Sequence, residues 1–228
     1  MDKINLLLIV TVISMFISLF LAVFLVTVKT KHKLSNSLFA AFLVISAIDV
    51  SGPLYDLMVD EPSNMGMLRN IFAFLQIPIF YLYVLSVCYS DFKIKPKHIV
   101  HLLPFVIANV VLLPRFYTVD LASKINFITN YQNMIELQFN HILIHVQIII
   151  YLIAVFMVLR KSKKLYLENY AGTSINSYTW LFQFTVVLTV LYLIALFKNI
   201  FKFSDHPEIS EWIRIGLLVF QLLITCWY

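Results

Sequence analysis

Seven long apolar stretches run through this chain of 228 residues, and the loops between them alternate between strongly basic and acidic or mixed. A helix that crosses the hydrocarbon core of a bilayer needs roughly 20 predominantly apolar residues. The candidate spans are residues 4–28, 37–57, 67–89, 98–113, 138–159, 178–201 and 209–228. They are continuous and rich in Leu, Ile and Phe, without the alternation of a membrane β-barrel strand. Backbone groups in lipid must be satisfied within the segment, which selects helices. Composition points the same way: 61% of residues are apolar and 13% charged, where a soluble domain carries about a quarter. The expected fold is all-α, a single seven-helix transmembrane domain over residues 1–228. No polar stretch is long enough to form a second, soluble domain.

The fourth span is the shortest. It lies between Pro96 and Pro114, with Pro104 inside. Trp180 falls at the start of the sixth span, and Trp212 and Trp227 fall near the two ends of the seventh. Tryptophan prefers the headgroup level, so these positions fit the spans. The first span is too long for a signal peptide and lacks a small-residue cleavage site, so a retained helix is expected.

Loop charges set the expected orientation. One set of loops carries Lys29, Lys31 and Lys33, then Lys93, Lys95 and Lys97, then Arg160, Lys161, Lys163 and Lys164. The opposite set mixes Asp56, Asp60, Glu61, Asp120, Glu136, Asp205, Glu208 and Glu211 with fewer cations, Arg69, Arg115, Lys124, Lys198, Lys202 and Arg214. The positive-inside rule then places the amino terminus outside and the carboxyl terminus in the cytoplasm. The net charge of +5 reads as a topology signal, not as a nucleic-acid footprint. Cys88 and Cys226 both fall near cytoplasmic helix ends, where thiols stay reduced.

Polar residues inside the spans are the candidates for function. Asp49 lies roughly 18 Å into the second span, and His145 about 10 Å into the fifth from the opposite side. In a core of roughly 30 Å the two share a level. A direct pair, a shared water cavity, and separate satisfaction by backbone or hydroxyl groups all remain open. An intramembrane carboxylate is costly and usually has a partner or a function. His141 and His145 are four apart and share a helix face. That spacing also suits a metal, but a third ligand is wanting: His98 and His101 fall at the far side. Gln76, Asn109, Gln147, Gln183 and Gln221 suit interhelical hydrogen bonds. Pro78 should kink the third helix and free a carbonyl near its middle. The connection over residues 115–137 either caps a cavity or passes as a plain connector. The candidate ligand-binding residues are therefore Asp49, Gln76, His141 and His145.

Several activities lack their motifs. There is no Gly-x-Ser-x-Gly, Walker loop or Gly-rich dinucleotide turn. The last span holds no Lys for a retinal Schiff base. No cofactor, metal or catalytic residue is expected, and the chain is not read as an enzyme.

Two segments carry a resemblance. Ile77-Pro78-Ile79-Phe80-Tyr81-Leu82-Tyr83-Val84 leads through Lys95-Pro96-Lys97 into His101-Leu102-Leu103-Pro104-Phe105. Later, Tyr151-Leu152 precedes the cluster Arg160 to Lys164, and Tyr178-Thr179-Trp180-Leu181 opens the next helix. The chain resembles the seven-helix membrane module of bacterial transcription regulators, chiefly of the Bacteroidetes, that end in an AraC-type helix-turn-helix domain. The likeness covers essentially the whole chain, and His-Leu-Leu-Pro-Phe with its preceding Tyr-Leu-Tyr is its most specific part. A Gly often precedes the proline in that family, where Ile77 stands here. The family continues into its DNA-binding domain, whereas this chain ends at Trp227-Tyr228, so direct binding of nucleic acid by it is not expected.

The resemblance implies a multi-pass protein of the bacterial inner membrane that senses a small-molecule or envelope signal. It would pass that signal to a cytoplasmic DNA-binding output. The bilayer is its first partner, and a homodimer would suit AraC-type domains, which commonly act in pairs. The rival readings are a small transporter or carrier, and a metal-dependent membrane hydrolase built on His141 and His145. Seven-helix membrane hydrolases also use a His-x-x-x-His pair, in their last helix rather than the fifth. Orientation is testable directly: in intact cells an impermeant thiol reagent should label Asp60→Cys and leave Lys163→Cys silent. The reverse pattern inverts the topology.

Overall fold

A computed structural model describes residues 3–169, 176–202 and 207–227. Among them every regular element is helical. The main helices are α1 (Lys3–Thr27), α2 (Lys33–Val50), α3 (Gly52–Met58), α4 (Asn64–Ile71), α5 (Ala73–Cys88), α6 (Leu103–Leu112), α7 (Leu121–Thr129), α8 (Ile135–Asn169), α9 (Asn176–Lys202) and α10 (Pro207–Trp227). Six segments are long and apolar enough to cross a membrane: Asn5–Thr27, Lys33–Val50, Asn64–Cys88, Pro96–Tyr117, Ile135–Lys164 and Tyr178–Lys202. This is the helix set of a multi-pass membrane protein. The seventh expected stretch, 209–228, falls in α10, a helix of 21 residues whose described apolar part is Trp212–Cys226. Asp205, and the side chains of Glu168, Glu208, Glu211 and Trp227, lie outside the described residues.

Proline chemistry explains where the elements depart from single continuous spans. The stretch expected at 37–57 is broken at Ser51 into α2 and α3. Pro53 has no N–H to offer the Asp49 carbonyl four residues back, so the ladder stops there. Ser51 fills part of the gap with its own hydroxyl, which donates to the Ile48 carbonyl at 2.6 Å. In the next span Phe72 separates α4 from α5, with the Leu75 N–H donating to the Phe72 carbonyl at 2.9 Å. Pro104, expected inside a span, sits in the first turn of α6, where the absent N–H costs nothing. A 3-10 segment (Pro96–Leu102) leads into that helix, and a π-turn (Leu113–Tyr117) ends it. At 35 residues α8 runs well past the expected 138–159 and absorbs the cluster Arg160 to Lys164. Its length of about 50 Å exceeds a bilayer core.

Six helices close a ring. α1 packs on α2, α2 on α5, α5 on α8, α8 on α9, α9 on α10, and α10 returns to α1. α6 stays outside the ring, against α8, α4 and α5. Its inward residues join Met67, Ile71, Phe74, Phe116 and Phe127 in a satellite core. Between the basic loops and the ring's middle, aromatic side chains fill the centre. Phe39 packs on Tyr83 at 4.8 Å and on Phe184 at 5.7 Å between ring centroids. Phe80 packs on Phe42 and Phe184 at 5.6 and 5.8 Å. Phe80 has no solvent-accessible surface and Phe184 only 2%.

Pro78 sits inside α5 and leaves the Phe74 carbonyl, four residues back, without its helical partner. The Gln147 side chain of α8 fills that place, its Nε2 donating to the Phe74 oxygen at 2.8 Å. The freed carbonyl thus becomes an interhelical tie. Gln147→Leu should lower stability by about 1 kcal/mol, the order of a buried hydrogen bond in a membrane bundle. In a Pro78→Ala background the restored N–H at position 78 should shrink that loss. Thermal denaturation of the four proteins of this double-mutant cycle measures the coupling.

Candidate functional site

Above the aromatic layer the ring encloses a cavity of about 910 Å³. Each wall is one helical face, read at spacings of three and four residues. α2 presents Phe39, Phe42, Ser46 and Asp49; α8 presents His141, Ile144, His145 and Ile148. α9 presents Phe184, Leu188, Tyr192, Ala195, Lys198 and Lys202, and α10 presents Ser210, Arg214, Leu218, Gln221 and Thr225. α5 adds Gln76 and Ile77, and α4 adds Arg69. All four sequence-derived candidates, Asp49, Gln76, His141 and His145, line this one space.

Gln76 is the best tied of the four. Its Nε2 donates to the Ser46 hydroxyl at 2.6 Å, and its Oε1 accepts from the Tyr192 hydroxyl at 3.1 Å. One side chain thereby links α2, α5 and α9. Asp49 behaves differently. It sits among the ring helices, yet its surface is exposed, because it faces the cavity. Lys198 and Arg69 are the cations whose field reaches it. His145 does not pair with Asp49: its Nε2 meets Asn199 Nδ2 at 2.8 Å. With the Asn199 amide nitrogen as donor, the His145 Nε2 is the acceptor of that contact. His141 Nδ1 meets the Leu137 carbonyl of its own helix at 2.8 Å. Asp49 and His145 line one cavity without a direct pair, and His145 takes Asn199 as its partner.

The two histidines therefore point into one space through separate partners. Among the described residues no three His, Cys, Asp or Glu side chains gather as a metal site would require. His98 and His101 lie apart, stacked at 6.0 Å, with His101 Nδ1 at 2.6 Å from the Tyr151 hydroxyl.

Arg69, Lys198, Lys202, Asn199 and Arg214 belong to this site and were not among the sequence candidates. The four cations among them count, by sequence, with the acidic or mixed loops. The signal was present in periodicity: residues 184, 188, 192, 195, 198 and 202 continue a single stripe from apolar to basic. Arg69 is placed from three sides. Its guanidinium lies 5.3 Å from the Tyr55 ring centroid, its Nη2 donates to Asn70 Oδ1 at 2.8 Å, and Gly52 backs it. A Cβ at Gly52 would stand 3.2 Å from Arg69 Nη1, closer than a side chain normally comes. The connection over residues 115–137 reaches the cavity with Ile128 and Tyr131, while Phe127 is buried in the satellite core. Tyr131 also donates to the Lys202 carbonyl at 3.3 Å, so this connection caps the cavity at its basic end.

The chain matches no protein-family model, no curated protein and no solved structure.

The exposure of Asp49 in the cavity, with Lys198 and Arg69 near it, predicts a reactivity pattern. In a background with Cys88 and Cys226 replaced by Ser, Asp49→Cys should react with methanethiosulfonate reagents, whereas Phe80→Cys should not. The surrounding cations should also favour the anionic sulfonatoethyl reagent over the cationic trimethylammonium one, relative to a free thiol. Stopped labelling followed by intact-mass analysis reads both rates.

Proposed function

We propose that this protein is a sensory module of the bacterial inner membrane, with seven transmembrane helices. Its amino terminus lies outside and its carboxyl terminus in the cytoplasm. On this reading α10 is the seventh span and the cavity binds the signal. The observation that carries the proposal is the cavity itself, walled by both the deep polar residues and the length of α10. With the positive-inside orientation, the charged end of the cavity opens outward. The basic loops and the end of α10 then face the cytoplasm, where an output domain would attach.

The transporter reading needs a polar path across the whole membrane. Against it stand the aromatic rings of Phe39, Phe80 and Phe184, packed under the cavity and closing the ring's centre. The ionisable lining residues all lie on one side of that layer. A binding site with a floor suits sensing better than passage.

A signal can shift α10 only by fitting one arrangement of the bundle better than another. Sliding or tilting a helix whose end lies at the headgroup layer is a plausible coordinate for that shift. The test is to fuse an AraC-type helix-turn-helix domain after Tyr228 and follow a reporter. Substituting Asp49, His141 or His145 should abolish or shift the response of a correctly inserted fusion. An unchanged response would remove the cavity from the mechanism. A fusion that answers no envelope condition would remove the sensor reading.

A further inference from the structure

We infer that residues 92–103 form a docking surface for anionic phospholipid, with the headgroup phosphate at Lys93, Lys95 and Lys97 and an acyl chain against Val100 and Leu103. This surface lies apart from the cavity, and its test is independent of the sensor reading.

The turn that presents the lysines is built. α5 ends at Cys88 and the next membrane-crossing segment begins at Pro96, so residues 89–95 turn at the edge of the hydrocarbon layer. Phe92 packs against the main core, and its ring stacks on His98 at 5.3 Å between centroids. The Lys95 N–H donates to His98 Nδ1 at 3.0 Å, and the His98 N–H donates to the Lys95 carbonyl at 2.9 Å. The three lysines therefore stand on a fixed loop at the start of a helix.

The residues after them supply the apolar half. In a 3-10 helix, side chains three apart stack in rows. One row of the segment Pro96–Leu102 begins at Lys97 and runs through Val100 to Leu103, the first residue of α6. At spacings of three and four it continues to Val106 and Val110. Val100, Leu103, Val106 and Val110 are all exposed, as is Ile99 beside them. α6 stays outside the ring, so this face is open to the acyl chains. A cation at the head of an exposed apolar row has the shape of a charged lipid, with phosphate at the headgroup level and a chain along the helix. Nucleic acid would match the lysines but would leave Ile99 and Val100 in water.

The charges select the headgroup. Lys93, Lys95 and Lys97 are exposed, and none of them meets a carboxylate among the described residues. Asp91 is the one acidic residue between Tyr89 and Leu103 in the sequence. Lysines at a membrane surface are drawn to anionic lipid, whereas a zwitterionic headgroup brings its own cation. A lysine stem can lie along apolar surface while its ammonium reaches the phosphate. Lys163, in the next basic cluster, is engaged differently, with its ammonium 5.7 Å from the Tyr178 ring centroid.

The test uses the full chain in nanodiscs of mixed phosphatidylcholine and phosphatidylglycerol. Trace phosphatidylglycerol or phosphatidylcholine, each with a diazirine in the same acyl chain, is irradiated in parallel, and adducts are mapped by peptide mass spectrometry. Adducts on residues 92–106 should favour the phosphatidylglycerol probe by about fivefold or more, the factor one lysine contributes at an anionic surface. Raising the salt should lower that ratio, because exposed charges are screened. Lys93→Gln, Lys95→Gln and Lys97→Gln together should bring it close to one, while labelling of Phe16 and Phe20 on α1 stays unchanged. Three results overturn the inference, and two of them need no variant. The first is equal labelling of residues 92–106 by the two probes. The second is a DNA duplex that displaces the phosphatidylglycerol adducts, which would assign the lysines to a soluble polyanion. The third is a correctly inserted triple variant that keeps the full preference at residues 92–106.

Discussion

A polar group inside the hydrocarbon layer has no water to satisfy it unless the protein makes room for some. This bundle answers that constraint in two ways. Several neutral polar groups are tied across helices: Gln147 to the Phe74 carbonyl, Asn140 to the Ala108 carbonyl, and Ser46 through Gln76 to Tyr192. Where the group is ionisable, the helices separate around it. Asp49, His141, His145 and Lys198 face one cavity instead of a packed interior. The dry ties join α2, α5, α6, α8 and α9, so they fix the frame within which the cavity stays open.

The two solutions depend on each other. A void at the centre of a bundle forfeits dispersion contacts, and an apolar one would collapse or fill with side chains. Charged walls resist collapse, because bringing them together would strip their water. The aromatic layer beneath sets the depth to which the opening extends. Without Phe39, Phe80 and Phe184 the polar space would continue toward the basic loops, and the same ring would approach a channel. A few ring contacts thus separate a binding site from a path.

Much of the frame was legible in the sequence, because the bilayer imposes length and apolarity on every span. Each of the six helical stretches long enough to cross a membrane overlaps one expected segment, the seventh segment falls within α10, and the candidates Asp49, Gln76, His141 and His145 line one cavity. The errors have local causes. Pro53 was inside an apolar run, and hydropathy alone does not register that its missing N–H ends α2 at Val50. The extension of α8 through Arg160 to Lys164 was hidden because charge marks the end of a span, not the end of a helix. Arg69 and Lys198 were read as loop charges for the same reason. They stand near helix ends, where a long side chain reaches back along its own helix toward the cavity. A stripe of three and four residue spacings that turns from apolar to basic is the pattern that would have found Lys198. Arg69 has no such stripe. Its place depends on Gly52 and Tyr55, which come near only after the break between α2 and α3.

The way α10 is held bears on what any ligand must supply. Part of the contact between α10 and the ring is apolar, Leu218 with Val10 and Val50, and Ile224 with the main core. Contacts of that kind tolerate a small slide better than hydrogen bonds do, since they are not directional. Moving a two-state bundle from one arrangement to the other almost completely requires about 10⁴-fold preferential binding, near 5.5 kcal/mol. A single charge-assisted hydrogen bond supplies about 1.5–3 kcal/mol, so one polar contact shifts the balance without inverting it. Apolar burial adds roughly 0.8 kcal/mol for each methylene, but only methylenes buried in one arrangement and not in the other count. The apolar end of the cavity is where α9 and α10 both line the wall, at Leu188 and Ile224. A slide of α10 changes the space available there, so the differential energy that a switch needs has to come chiefly from what a ligand buries at that end.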